Sequence, residues 1–232
     1  MKNKFFLFPK LFLLSLATIC ISSCIKNDNF IKGDAKIRIF QASILDTTQN
    51  FFLNGRQLGS STTYGTNSSY IVEPGDSSYK ISSRILASTS DLASLDNQQL
   101  SIGKNYSVFL TKDKASSPSS LMFMEDDVKI GTDSTKLVFL NLGYTLGSPV
   151  LVTDTGKAFS PFSLAYGEKF TRKIKVNKST KISFTITSVT PTNPKPVVTV
   201  LDSTTLLNGK IYTVLIDGSK VGDLQKRLVA NN

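Results

Sequence analysis

Two stretches of this 232-residue chain carry one pattern: GKNYSVFL at 103–110 and GKIYTVLI at 209–216. Working backwards, AKIRIFQ (35–41) is matched by TKLVFLN (135–141), Tyr64-Gly65 by Tyr166-Gly167, and YKIS (79–82) by TKIS (180–183). The matches keep their order while their offset drifts from 100 to 106, the mark of a tandem duplication with small loop insertions. A repeat constrains a fold more than any composition does, because one plan must be built twice. The first copy is expected over 34–130 and the second over 131–232.

Each copy reads as β. Short stretches rich in Val, Ile, Thr, Phe and Tyr alternate with polar residues and end at Gly, Pro, Asn or Asp. Asn54-Gly55, between FFL and RQL, is a hairpin signal, because a type I′ turn needs positive φ at both central residues. Asp154-Thr155-Gly156 stands at the corresponding place in the second copy. In Glu73-Pro74-Gly75-Asp76, proline presets φ and Gly75 is expected to supply a positive φ. Ile182-Ser183-Phe184-Thr185-Ile186 alternates as a half-buried strand does. No sustained helical period follows residue 24. The expected fold is all-β: two tandem Ig-like, Greek-key β-sandwich domains.

Ahead of the repeats lies a different kind of segment. Lys2, Lys4 and Lys10 precede the apolar run LFLLSLATICI (11–21) and the small residues Ser22-Ser23, the order of a secretory signal. Pro9-Lys10 divides the region into runs shorter than the ~20 apolar residues of a membrane span. Ile21-Ser22-Ser23-Cys24 resembles the lipobox of bacterial lipoproteins. That resemblance implies cleavage before Cys24, a diacylglyceryl thioether on its sulfur and an acyl chain on its amine, with 1–23 removed and 24–33 left as a tether. Cys20 follows the bulky Ile19 and fits poorly. Two or more acyl chains anchor stably where one does not. The resemblance implies a bacterial cell-envelope location, and Ile25, in place of a retaining aspartate, points to the outer rather than the inner membrane, with the leaflet open.

The chain contains no histidine, and its cysteines are Cys20 and Cys24 alone. That removes Ser-His-Asp and Cys-His catalysis and His-ligated metals. No cofactor and no metal are expected, and the mature chain cannot form an internal disulfide.

The repeats also resemble the domain-of-unknown-function family 4397, found in bacterial envelope proteins and often in tandem. Its pattern of an A-K-[IV]-R strand, V-Y-V-N-G, Y-G…Y, P-A-G and G-K-x-Y-T-V is met here by AKIR (35–38), FFLNG (51–55), YGTNSSYIVEPG (64–75) and GKNYSVFL (103–110). Where the family carries Ser-Pro-Asp-Ala-Pro after the first strand, this chain has Ser43-Ile44-Leu45-Asp46-Thr47, and its second copy has Gly143-Tyr144-Thr145. The resemblance assigns no activity.

Three features are candidates for chemistry. Glu125-Asp126-Asp127 could offer oxygens to Ca²⁺, but no glycine-punctuated loop surrounds them and neighbouring strand residues point to opposite faces. The tyrosines Tyr106 and Tyr212 share one place in the two copies, which suits a ring in the core and a hydroxyl on backbone. Charge is the third. Residues 34–130 hold nine basic and ten acidic side chains, and 131–232 hold thirteen basic and six acidic, a net of +7. The excess gathers in EKFTRKIKVNKSTK (168–181). On a strand, Lys169, Lys173 and Lys175 share the parity opposite to Phe170, Ile174 and Val176, with Lys178 and Lys181 following near the turn. This row is a candidate surface for an anionic glycan, a lipid headgroup or an envelope protein; no nucleic-acid motif accompanies it. The expectation is a non-enzymatic envelope lipoprotein acting as an interaction or structural module. A carbohydrate-binding accessory lipoprotein is the alternative, and a hydrolase using a carboxylate pair is third.

Overall fold

The computed structural model describes residues 33–231 apart from 130–131, 155–158, 179, 190–195, 203 and 219–222. The signal segment, both cysteines, the tether up to residue 32, the 130/131 boundary and Thr155-Gly156 lie outside the described residues.

In the first half, β1 (Asp34–Gln41), β4 (Ile71–Pro74), β7 (Asn105–Thr111) and β8 (Ser120–Glu125) form a sheet in the order β4-β1-β7-β8. Strands β2 (Gln49–Leu53), β3 (Arg56–Gln57), β5 (Ser77–Ile85) and β6 (Ala93–Leu100) form a second in the order β3-β2-β5-β6. The second half repeats the plan. Its β9 (Thr135–Asn141), β12 (Lys169–Ile174), β15 (Ile211–Gly218) and β16 (Leu224–Ala230) run β12-β9-β15-β16. Its β10 (Val150–Asp154), β11 (Phe162–Leu164), β13 (Lys181–Ser188) and β14 (Val197–Asp202) run β11-β10-β13-β14. Within each half one parallel pair, β1 with β7 and β9 with β15, sits among antiparallel neighbours. The all-β sandwich fold is thus present twice, and the helical content of the described residues is one 3₁₀ turn, Tyr144–Leu146.

Each sandwich closes on its own core. Ile37, Ile39, Phe51, Leu53, Ile81, Val108 and Leu110 fill the first, and Leu137, Phe139, Val152, Phe184, Ile186 and Val214 the second. The repeated tyrosines do the same work in both. Tyr106 is buried and its hydroxyl accepts the Ser101 amide at 3.0 Å; Tyr212 is buried and accepts the Leu207 amide at 3.3 Å. Both bonds reach five residues back, so each ring closes the turn that precedes its own strand.

The Asn54-Gly55 turn has φ of 47° and 79°, as a type I′ hairpin requires. The second turn differs from expectation. The positive φ falls on Asp76, at 52°, and not on Gly75. Gly75 is needed for space: a Cβ there would lie 2.6 Å from the Gly33 carbonyl oxygen and 2.6 Å from the Ile102 side chain.

A third core lies between the halves. Phe40, Ala42 and Phe109 pack against Leu140, Leu142 and Leu215, with Met122, Met124, Tyr166 and Val229 around them. The β1 and β7 strands therefore bury both faces, as do β9 and β15. Because β4-β1-β7-β8 and β12-β9-β15-β16 face each other, the molecule stacks four sheets deep. The contact is nearly self-complementary in the repeat: Phe40 corresponds to Leu140, Ala42 to Leu142 and Phe109 to Leu215. A contact in which one patch meets its own counterpart is isologous, and the duplication has built it within one chain.

Candidate functional site

The seam between the two inner sheets has a closed end and an open end. At the closed end, where β1, β7, β9 and β15 finish, side chains cross between the halves. The Tyr64 hydroxyl donates to the Gly218 carbonyl at 3.1 Å, and Tyr166, its counterpart in the repeat, bonds the Thr111 hydroxyl at 3.0 Å. The two loops that depart from the family pattern meet here, since the Tyr144 hydroxyl lies 3.1 Å from Ser43 Oγ and accepts the Leu45 amide at 3.1 Å. Asp46, from the same loop, pairs with Lys112 at 3.2 Å. Burial raises the Tyr64 and Tyr166 hydroxyls above the usual phenol range, the buried Asp217 adding to the effect on Tyr64. Burial also pushes the Asp217 carboxyl above its ordinary value, against the pull of Arg227 at 2.9 Å.

The other end holds a buried cation. Arg38, from the AKIR strand, is 2% exposed. Its Nη1 donates to the Ala230 carbonyl at 2.9 Å, its Nη2 to Asn231 Oδ1 at 2.7 Å, and its Nε to Ser107 Oγ at 2.9 Å. Asp126 stands 3.7 Å away and accepts from the Tyr70 and Ser107 hydroxyls. The guanidinium lies over the Tyr70 ring at 4.6 Å and the Phe40 ring at 4.9 Å. Sequence reasoning noted this arginine as part of a motif and missed its role. The available signal was its asymmetry, for the second copy has Val138 at that place.

The open mouth of the seam is a cleft of about 520 Å³ lined by Lys104, Glu125, Asp126, Asp127, Lys129 and Lys169, among others. The acidic triplet is spoken for residue by residue: Glu125 by Lys104, Asp126 by the Arg38 group, and Asp127 by Lys136 at 2.7 Å. Lys136 lowers the Asp127 carboxyl against the opposing effect of its partial burial. Among the described residues no cluster of three metal-ligating side chains occurs.

The lysine row runs toward this same end, from Lys169, opposite Leu140, to Lys173, opposite Lys136. Strand β12 alternates as its sequence reads, with Lys169, Thr171 and Lys173 exposed, Phe170 and Arg172 half-buried, and Ile174 buried. Lys169 lines the cleft, and Lys173 lies opposite Lys136 in the β9–β12 register. Lys175 and Lys178 follow in the exposed turn, and Lys181 opens β13 opposite Asp202. Among the described residues, Lys169, Lys173 and Lys175 make no ion pair within 4 Å. The aromatic side chains behave differently. All seven tyrosines are buried or half-buried, and among the described residues no aromatic side chain is one of the exposed large hydrophobics.

Residues 35–148 match the family described as Domain of unknown function (DUF4397), a span that takes in β1–β8 and continues through β9. No curated protein matches the chain. Among solved structures, the chain is similar to the crystal structure of CBMbc (family CBM26) from Eubacterium rectale Amy13K in complex with maltoheptaose. The two are 13% identical over 84% of this chain and 96% of that one, with a TM-score of 0.26, too low to bear on fold or ligand here.

Proposed function

We propose that this chain, which over residues 35–148 belongs to the DUF4397 family, is a non-enzymatic lipoprotein of the bacterial envelope that engages an anionic partner through its second half. The observation that carries the reading is the row Lys169, Lys173 and Lys175, exposed and without ion pairs among the described residues while neighbouring acids are engaged internally. Lys178 and Lys181 extend it. The anchor is the lipid that the sequence Ile21-Ser22-Ser23-Cys24 implies on Cys24, with the outer membrane as its site. The non-enzymatic part is supported by the fate of the carboxylates: Glu73 pairs with Arg56, Glu125 with Lys104, and Glu168 accepts the Ala165 amide. A hydrolase needs two carboxyl groups facing one bond. The carbohydrate-accessory reading lacks support of its own, since a sugar-stacking platform needs exposed rings.

Two measurements test the reading. Labelled fatty acid should enter the wild type and the Cys20→Ala variant and fail to enter Cys24→Ala, whose precursor should accumulate. Retention on an immobilised acidic polysaccharide should fall with rising salt, because exposed charges are screened over ~8 Å at physiological ionic strength. Changing Lys169, Lys173 and Lys175 together to Gln should lower that retention, and the same change at Lys36, Lys80 and Lys104 should not. Labelling of Cys24→Ala, or equal retention of all three proteins, would refute the corresponding half of the reading.

A further inference from the structure

Lys173, Lys175 and the start of the folded body lie at one end of the molecule, and Lys169, farther back along β12, lines the cleft there. Gly33, the first described residue, opens into β1, and its carbonyl accepts the Gly75 amide at 2.9 Å. The next carbonyl, of Asp34, accepts the Gly103 amide at 2.8 Å, and Gly103 lines the cleft that Lys169 also lines. The β9 strand begins at this end too, because Lys136 reaches Asp127, which follows β8. Strand β12 runs antiparallel to β9 and so finishes here, with Lys173 opposite Lys136, and Lys175 just beyond it.

Nine residues separate this end from the anchor, counting from Cys24 to Lys32. At ~3.5 Å per residue they span at most about 30 Å. An acylated Cys24 therefore holds Gly33, and the lysines beside it, within that distance of the headgroup layer. The opposite end, with the β7–β8 connection and Lys114, is one strand length farther away. Basic residues next to a bilayer add to the hold of an acyl anchor, and the effect fades within a Debye length.

Resting on the anchor proposed above, we propose that the rim formed by Lys173 and Lys175, with Lys169, Lys178 and Lys181 beside it, docks on the anionic phospholipid headgroups of the membrane that holds Cys24. The lipid and the lysines then act as two contacts of one attachment, and the body sits end-on, with the seam mouth toward the bilayer. Asp34, Asp76 and Asp133 are exposed at the same end. Asp34 and Asp76 belong to the first half and so confine the attraction to the side of the second, whose net charge of +7 already counts Asp133.

The test uses the mature chain, residues 24–232, made with Cys24→Ser so that no lipid can be attached, and vesicle co-sedimentation as the readout. Binding is expected to vesicles of phosphatidylglycerol mixed with phosphatidylcholine, and not to phosphatidylcholine alone. With each near-surface lysine contributing about fivefold, the Lys173→Gln/Lys175→Gln pair should weaken binding roughly twentyfold. The Lys114→Gln/Lys226→Gln pair removes the same charge from the far end and should change binding less than twofold. Equal losses in the two pairs would make the effect one of net charge and overturn the docking. So would absence of anionic-vesicle binding, or full displacement by a soluble acidic polysaccharide that binds more tightly than the vesicles. Fatty-acid labelling of Cys24 is a separate readout, so the anchor and the docking can fail independently.

Discussion

Arg38 and Asn231 are 193 positions apart in the chain, and a 2.7 Å hydrogen bond joins them inside the seam. The bond ties the first strand of the first copy to the last described residue of the second. Asn231 Oδ1 also accepts the Thr213 hydroxyl at 3.0 Å, so the far end of the chain is held from both sides.

Removing that guanidinium should be costly. Arg38→Ala would leave Asp126, whose side chain is 9% exposed, without its cation and would remove three hydrogen bonds, to Ser107 Oγ, the Ala230 carbonyl and Asn231 Oδ1. A loss of about 3 kcal/mol is expected in urea unfolding. Arg38→Lys keeps the charge but not the fork, and should recover less than half of it.

The shared core predicts how the two halves behave when cut. A cut within 129–134 falls at the boundary that the repeat places between the copies. Separation would expose Phe40, Phe109, Leu140 and Leu215, which are at most 2% exposed in the whole chain. The nicked protein should therefore elute at its intact size in gel filtration. Two peaks of half the mass would show that the seam is not a stable contact.

Asp217 sets a pH dependence. Its carboxyl is raised above 3.8 by burial, so the folded state binds the proton more tightly than the unfolded one. Its contribution to stability is present at low pH and is lost as pH rises through the window above about 4, until the folded carboxyl has ionised. The urea midpoint of Asp217→Asn should vary less across that window than the wild type's. An unchanged slope would mean that another group carries the dependence.

Two glycines make contrasting predictions. Gly55 has φ of 79° with open space around it, so Gly55→Ala should cost about 1 kcal/mol, the penalty for a left-handed alanine. Gly75→Ala meets backbone at 2.6 Å and should cost about 3 kcal/mol, with Gly33 displaced from its bond to the Gly75 amide. Thermal unfolding of the two variants would order them.

The parts of the fold that are local in chemistry were legible from residues alone. Asn54-Gly55 demands one turn type, alternation along 169–174 puts lysines outward, and the repeat of Tyr106 as Tyr212 implies one structural task. What was hidden depends on partners distant in sequence. Phe40 and Phe109 belong to a face that an isolated sandwich would leave to solvent. The signal was in the strands themselves, since IRIF, SVFL, LVFL and TVLI are apolar on both parities, the sign of strands covered on both sides. Arg38 was hidden for the same reason, as most of its acceptors lie across the seam. Gly75 was misread because a turn motif distinguishes a glycine needed for φ from one needed for space only when the neighbouring chain is in view.

The side-by-side stacking of the two copies also governs height. Strands β1 and β9 start at the same end, so the body is one strand tall: eight residues at ~3.3 Å, or about 25 Å. The same sandwiches joined end to end would stand about twice as high. Duplication here has widened the molecule without lengthening it, and its footprint has grown in place of its reach. A body of that profile can meet what lies beside its point of attachment, and is too short to span a gap to anything far above it.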